Sequence, residues 1–204
     1  MTRLMAFTMP AFATAKYFIL LTLLLLTNVG SAAESFNVQS AQINKIGNGY
    51  LLNATIKYPL TPRIIEALDN GVPITFLQQL DLIKSTPLLG KYWQWHKILW
   101  SSSLRYKLRY HALSEQYVLQ ALDTHHRRNF PSLDAALSAL GKIDSLGLPP
   151  EHLADADKLI LQSLILRIRS GLDLHALPTP MRPGALISTK WQLTSPWTIA
   201  TWPY

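Results

Sequence analysis

Between Leu104 and Tyr110 every second residue is apolar or aromatic, and the residues between them are basic. Because successive side chains of a strand point to opposite faces, this pattern predicts a half-buried antiparallel strand with a row of cations on its outer face. A second alternating run, Gln116–Ala121, follows a break at 112–115, so the two runs predict a hairpin. The cations of the row are Arg105, Lys107, Arg109 and His111.

Three further segments have the alternation of strands. Residues 36–45 change phase near Ser40, which predicts a strand with a bulge. The glycines of Gly47-Asn48-Gly49 favour a tight turn into a clean strand over 50–58. Residues 72–84 alternate again and predict a third strand. Residues 91–100 contain three tryptophans and predict a long, bent strand that continues into the cationic row after a break at the serines 101–103.

Two short helices are predicted between these strands. Thr61 and Pro62 favour an N-cap and first turn for a helix over 62–69, which Asn70-Gly71 ends. Ser132 is the expected N-cap of a helix over 133–140, whose apolar positions recur at helical spacing. Residues 123–128 are predicted to form a polar loop, and residues 146–155 a loop with one helical turn after Pro149-Pro150.

The last third of the chain is harder to interpret. Leu and Ile occupy both phases of residues 158–169, and the β-branched content favours a central strand over a short helix. Residues 177–204 contain five prolines and three tryptophans, which predicts an extended tail around the body with one strand over 186–193.

These elements predict a mainly β fold: a single antiparallel β-sandwich-like, immunoglobulin-like domain over residues 34–204, with short inserted helices and a Pro/Trp-rich C-terminal tail. Sandwiches of this size commonly have about seven strands.

The N-terminal 33 residues have the pattern of a signal peptide. Arg3 and Lys16 are the only charges before Glu34, residues 17–29 are mostly apolar, and small residues precede an expected cleavage site after Ala33. The alternative is a retained inner-membrane anchor formed by residues 17–29, although a membrane span needs about 18 or more apolar residues. The pattern predicts export to the periplasm.

Composition restricts the chemistry. The chain of 204 residues has no cysteine, which excludes a disulfide framework, a thiolate metal site and a cysteine nucleophile. The formal charge is +7, and +7 − 2 = +5 without the first 33 residues. A basic surface outside the cytoplasm meets anionic lipid, glycan or acidic protein rather than nucleic acid.

The basic row is the main candidate site. As a flat platform, Arg105, Lys107, Arg109 and His111 would bind an acidic protein or an anionic envelope component, because arginine pairs well with carboxylates and phosphates. Arg167 and Arg169 add a second pair in phase. The alternative is that the row is the solvated face of a sheet, where basic residues also prevent unwanted edge pairing.

The other candidates favour structural roles. His125-His126 invites a metal site, but a basic loop is the preferred interpretation, and we predict no metal and no cofactor. Trp93, Trp95 and Trp100, with Tyr92, either pack in the core, which we prefer, or form an aromatic surface for sugars or a membrane interface. There is no nucleophile elbow, no phosphate-binding glycine loop and no carboxylate pair with catalytic spacing, so we do not expect an enzyme.

Several segments together resemble a proteobacterial family, the domain of unknown function 4390. They are D-N-G-V-P-I-T-F at 69–76, R-Y-x-L-R-Y-H-A-L-S-x-Q-Y at 105–117, F-P-S-L-D-A-A-L-x-x-L-G at 130–141, and residues 174–180 and 191–197. The resemblance implies an exported protein encoded near a membrane sensor kinase, and hence a link to envelope signalling. It brings no activity, ligand or site residue.

Residues and resemblance together lead to one main hypothesis, a noncatalytic periplasmic binding module that uses the basic sheet face. One alternative is a membrane-anchored structural accessory of a sensor kinase system. Another is an enzyme that acts on envelope glycan.

Overall fold

Two antiparallel sheets form the body of the protein. The computed structural model describes residues 35–87, 94–153, 161 and 163–203. The smaller sheet has the strand order β1-β2-β7, and the larger has the order β6-β5-β4-β3-β8-β9. This arrangement confirms the predicted mainly β, sandwich-like fold. The strands are β1 (Asn37–Ile46), β2 (Gly49–Lys57), β3 (Ile74–Pro87), β4 (Gln94–His111), β5 (Gln116–Ala121), β6 (Arg127–Phe130), β7 (Lys142–Gly147), β8 (Leu164–Leu172) and β9 (Thr198–Ile199).

The first hairpin follows the sequence pattern closely. Strands β1 and β2 pair around a turn at Gly47, whose φ of +59° is one that glycine adopts without strain. Their register shifts between Val38 and Ser40, where the hydrophobic pattern changes phase. The bulge lets the chain bury Val38 and Ala41 on the same face although they are three residues apart.

Short α-helices lie between the strands, among them α1 (Pro62–Asp69), α2 (Leu133–Gly141) and α3 (Arg182–Ile187). As predicted, the Ser132 hydroxyl caps α2 by accepting a hydrogen bond from the Ala135 amide at 3.2 Å. Thr61 lies at the N-cap of α1 but does not cap it with its side chain. Its hydroxyl donates instead to the Lys190 carbonyl at 3.0 Å, which ties α1 to the C-terminal region.

The central strands β3 and β4 form one long hairpin. The predicted strand at 72–84 is confirmed, since Ile74, Phe76 and the alternate residues that follow are buried. The predicted break at the serines 101–103 is wrong, because all three pair with β3 in regular register. The irregularity falls two residues before Ser101, at Leu99, between the pairs Leu82–Trp100 and Ile83–Ile98.

Two strands were not predicted from the sequence, and each overlaps one end of a predicted loop, at 123–128 or at 146–155. Residues Arg127–Phe130 form β6, the edge strand beside β5. Residues Lys142–Gly147 form β7, which pairs with β2 directly after α2. Gly141 makes this close transition feasible, because a Cβ at that position would overlap the carbonyl oxygen of Ile56. The single turn after Pro149 is present as a 3₁₀ helix, Pro150–His152.

The central strand predicted over 158–169 is confirmed from Leu164 onward, and residues 158–160 and 162 lie outside the described residues. Strand β8 begins at Leu164 and pairs with β3, whereas Leu161 and Ser163 are helical. The predicted strand over 186–193 is wrong, because Pro183 at the start of α3 favours a helix there and turns follow it. The tail does wrap the body, and Trp191, Leu193, Ala200 and Trp202 are buried.

The tail closes one edge of the larger sheet. Strand β9 pairs with β8, and the Ala200 amide donates to the Leu166 carbonyl at 2.8 Å. Upstream, the Ser195 hydroxyl accepts a hydrogen bond from the Ser170 amide at 2.9 Å, and the Ser195 amide donates to the Ser170 carbonyl at 2.7 Å. The indole of Trp202 donates to the Leu164 carbonyl. The tail therefore supplies hydrogen-bond partners for outward-facing backbone groups along β8, from Leu164 to Leu172.

The core lies between the two sheets. Phe36, Tyr58 and Phe76 form an aromatic cluster with ring centroids 4.8 to 5.9 Å apart, which joins the smaller sheet to β3. The Tyr58 hydroxyl accepts from the buried amide of Gln78 at 2.8 Å and shares a hydrogen bond with the Ser170 hydroxyl at 3.0 Å. A polar link thus crosses the apolar core and fixes the smaller sheet against β3 and β8.

The predicted signal segment, its cleavage after Ala33 and the alternative anchor at 17–29 lie outside the described residues, as do Tyr92 and Trp93. No helix in the part of the chain that the structure describes has the length and apolarity needed to span a bilayer.

Candidate functional site

Strand β4 holds the basic row on the outer face of the larger sheet. Leu108 is fully buried, and its neighbours Lys107 and Arg109 point to the opposite side. Arg105 and Arg109 are exposed, whereas Lys107 and His111 are half-buried. The structure therefore places all four predicted residues on one face of one strand, as the alternation predicted. Whether this face binds a partner remains a prediction.

A shallow groove of about 300 Å³ lies over one end of the row. Its cationic lining comes from two strands, because β6 contributes Arg127 beside Gln120 of β5, and Gln120 in turn lies opposite Lys107 of β4. The sequence pattern predicts a basic loop at 123–128 and therefore does not show that Arg127 lies on a strand of the same sheet. The lining residues are Lys107, Arg109, His111, Val118, Gln120 and Arg127.

The cationic side chains around the groove have no ion-pair partner within the described residues. Among the residues that the structure describes, none forms a salt bridge or hydrogen bond with the side chain of Lys107, Arg109 or Arg127. The carboxylate beside the row belongs to Asp123, which accepts the backbone amide of Arg105 at 3.2 Å. The groove end of the row consequently has the larger excess of positive charge.

The second pair of arginines on this face has a different environment. Arg167 donates two hydrogen bonds to one carboxylate oxygen of Asp81, at 2.8 and 3.1 Å, and Arg169 donates to the side chain of Gln79 at 2.7 Å. Both guanidinium groups lie against the ring of Trp197, at 4.1 and 4.4 Å from its centroid. These arginines hold the tail on the sheet and are not part of an open platform.

Aromatic residues support the row from the inner side. The rings of Tyr110 and Tyr117 lie 4.9 Å apart, and the Tyr117 hydroxyl donates to Asp69 at 3.0 Å. Burial, followed by this hydrogen bond to a carboxylate, raises the pKa of Tyr117 to about 12. Burial also raises the pKa of Tyr106, and nearby Asp123 raises it further. The phenols of Tyr106 and Tyr117 are therefore neutral at physiological pH and do not offset the positive charge of the row.

The remaining candidates are distributed elsewhere. Trp95 is 61% exposed on β4, so the preferred core role is wrong for this residue, whereas Trp100 packs against the core. His125 lies in the turn before β6 with φ of 55°. Within residues 35–87, 94–153 and 163–203, no three His, Asp or Glu side chains come together as a metal site would require.

Fold and surface together define a two-sheet, mainly β domain with an uncompensated cationic groove on its outer face. The sequence matches the family described as Domain of unknown function (DUF4390) over residues 33–201, and the chain belongs to that family. No curated protein and no solved structure matches the chain. The resemblance noted from the motifs is thus confirmed.

Proposed function

We propose that this protein is a noncatalytic binding module of the bacterial envelope, and that its basic sheet face engages an acidic protein or another anionic envelope component. The observation that carries the proposal is the groove itself. Lys107, Arg109 and Arg127 converge on it from two strands without a carboxylate partner in the described chain. The signal-peptide pattern of residues 1–33 supports a site of action outside the cytoplasm.

Physical chemistry favours an anionic ligand here. Lys107 and Arg109 on β4 and Arg127 on β6 carry like charges on one face, two strands apart, and their mutual repulsion costs stability that an incoming anion recovers. Arginine adds specificity, because its planar guanidinium forms paired hydrogen bonds with carboxylate or phosphate oxygens. The attraction acts largely through solvent, where about 0.15 M salt screens charges over roughly 8 Å. Binding is therefore expected to weaken as salt is raised.

The test measures binding of the purified protein to immobilised polyglutamate and to vesicles containing phosphatidylglycerol, at low and at physiological salt. We expect the double substitution Arg105→Ala plus Arg109→Ala to weaken binding of the protein to whichever of these two probes it binds more tightly. The expected loss is about tenfold, because two charge-assisted contacts are removed.

The matched control is Lys45→Ala plus Arg63→Ala, which removes the same net charge from exposed positions away from the groove. It should change capture less than about twofold, because charges beyond the screening length contribute little. Equal losses in both double variants would mean that net charge, rather than this face, causes binding. Unchanged capture by the first variant would contradict the proposal.

A further inference from the structure

The two edges of the six-stranded sheet differ in a way that bears on the partner. The edge at β8 is covered by the tail, whereas β6 ends the sheet on the other side with Arg127, Arg128 and Asn129 exposed. No backbone hydrogen bond from elsewhere in the described chain reaches Arg127 or Asn129. An edge strand in this state offers unpaired amides and carbonyls to another extended chain.

The ladder between β5 and β6 shows which groups are free. The Ala121 amide donates to the His126 carbonyl at 2.9 Å, so this pair is a hydrogen-bonded pair. Hydrogen-bonded and non-hydrogen-bonded pairs alternate in an antiparallel ladder. Arg128 therefore bonds to Leu119, whereas Arg127 and Asn129, opposite Gln120 and Val118, direct their N–H and C=O groups outward. Two donors and two acceptors lie along the free edge.

The side chains at this edge select the charge of what can pair with it. Arg127 lines the cationic groove, and Arg128 lies over the ring of Phe130 at 5.1 Å on the other face. Such an edge repels an identical basic strand, which protects it from pairing with another copy of itself. An acidic strand would meet no such barrier.

We propose that the free edge of β6 accepts an extended acidic segment of another protein as an additional strand. This inference rests on the proposed function and names the kind of partner and its mode of binding. Backbone hydrogen bonds to Arg127 and Asn129 supply registration, and alternate side chains of the added strand lie on the groove side. Acidic residues at every second position therefore fall beside Arg127, in the row that continues through Gln120 to Lys107.

The tail provides an internal precedent for this mode. On the opposite edge, an extended segment around Ser195 and β9 bonds to β8 through its backbone. That segment carries no charge, and the neighbouring Arg167 is already paired with Asp81. The free edge has the same kind of backbone, but its arginines have no ion-pair partner among the described residues, so its added strand has to bring the negative charge.

The experiment uses the purified protein and two synthetic nonapeptides with blocked ends. One alternates glutamate and threonine, and its isomer has the same composition with all glutamates in one block. We expect the alternating peptide to bind about tenfold more tightly, because only it places its carboxylates on one face of a strand. Exchange of the Arg127 and Asn129 amides should slow on binding, while the Arg128 amide, already bonded within the sheet, serves as an internal control.

Two variants separate the edge from the charge. Asn129→Pro removes an outward N–H without breaking the ladder to β5 and leaves every charge in place, so it should reduce binding of the alternating peptide about tenfold. Asn129→Ala is the matched control, since it loses the same side-chain bond to Gln116, seen at 3.1 Å, but keeps the amide. It should bind within about twofold of the original protein. If Asn129→Pro does not fold, amide exchange in the unmodified protein still decides.

The outcomes are distinct. Slowed exchange at Arg127 and Asn129 with preference for the alternating peptide supports strand addition. Equal binding of both isomers without slowed exchange, but with loss in the Arg105→Ala plus Arg109→Ala protein, overturns strand addition and keeps the proposed function. If the protein binds neither peptide, and at low salt binds neither polyglutamate nor anionic vesicles, the result contradicts both strand addition and the proposed function.

Discussion

Arginine side chains at the two ends of the outer sheet face differ in whether they have partners within the protein. At the β8 end, Arg167 pairs with Asp81 and stacks with Arg169 on Trp197, so the charges are used inside the protein. At the β6 end, Arg109 and Arg127 have no such partners among the described residues. The sequence shows the same alternation of arginine with apolar residues around Arg109 in β4 and around Arg167 in β8. Only contacts with residues distant in sequence distinguish arginines that hold the tail in place from arginines that are available to bind a partner.

The contrast extends to the backbone. The tail bonds to backbone groups on the outer side of β8, whereas the backbone groups of Arg127 and Asn129 in β6 face outward without a partner in the described chain. Charge and backbone are therefore neutralised together at one edge and left unpaired together at the other. Because unpaired charge and unpaired backbone occur together at β6, we infer that this edge binds an acidic chain and is not simply a solvent-exposed edge strand.

The largest expected effect tests the closed edge. Trp202 is 6% exposed, donates to the Leu164 carbonyl and contacts the ring of Tyr50 at 5.7 Å. Trp202→Ala should lower the free energy of unfolding by about 3 to 5 kcal/mol, because it leaves a large cavity where the tail joins both sheets. Urea unfolding measures the change. Trp95→Ala, at the exposed tryptophan of β4, is the control and should cost about 0.5 kcal/mol or less. Similar losses in both would refute the anchoring role of the tail.

An intermediate effect concerns Tyr58, which bonds to Ser170 of the closed edge strand. Burial raises its pKa from 10.0 to about 12, although the hydrogen bonds with Ser170 and Gln78 act in the opposite direction. The folded protein keeps this proton where the unfolded chain loses it. The protonated Tyr58 hydroxyl therefore makes its full contribution to the free energy of unfolding below pH 10, and this contribution declines as the pH rises toward 12.

By pH 11 this loss amounts to about 1.4 kcal/mol. Tyr58→Phe should be less stable at pH 7, because it lacks the hydrogen bonds, but should lose less stability between pH 9 and pH 11 than the original protein does. Denaturant unfolding at the two pH values gives the comparison. An identical decline in both proteins would show that Tyr58 is not responsible for it.

The smallest effect compares the two kinds of arginine directly. Arg167→Met removes a partly buried ion pair, in which Asp81 is only 10% exposed, and one of the contacts to Trp197, so we expect a loss of about 1 kcal/mol. Arg109→Met should change stability by less than about 0.5 kcal/mol. Capture on acidic probes should show the reverse order. If Arg109→Met were as destabilising as Arg167→Met, the proposed difference between a structural Arg167 and a binding Arg109 would be wrong.

The central part of the fold could be predicted because its signals are local. Strands β1 to β5 alternate over six or more residues, and the change of phase near Ser40 marked the bulge at the correct place. Helices α1 and α2 carry their start signals at Thr61 and Ser132. These features depend on neighbours within a few positions, and the sequence displays those neighbours directly.

The errors fall where distant contacts decide. Strand β6 has four residues and no alternation, so only its pairing with β5 makes it a strand. Strand β7 contains Ser145 in a left-handed conformation with φ of 55°, supported by the side chain of Asn53, which accepts the Ser145 amide at 2.7 Å. The site shows the same division. Alternation predicted the row on β4, but Arg127 and the pairing of Arg167 with Asp81 depend on positions far apart in sequence.

The tail also links the beginning of the chain to its end. The Ile43 amide donates to the Thr201 carbonyl at 2.8 Å, and the Thr201 amide donates to the Ala41 carbonyl at 2.9 Å. Contacts between such distant positions require closure of nearly the whole chain and are slow to form. During synthesis both β1 and β8 therefore wait for the last residues to emerge, and each meanwhile exposes an edge to neighbouring chains. A premature stop near residue 195 would leave that temporary exposure permanent, so its expected result is aggregation rather than a slightly weakened protein.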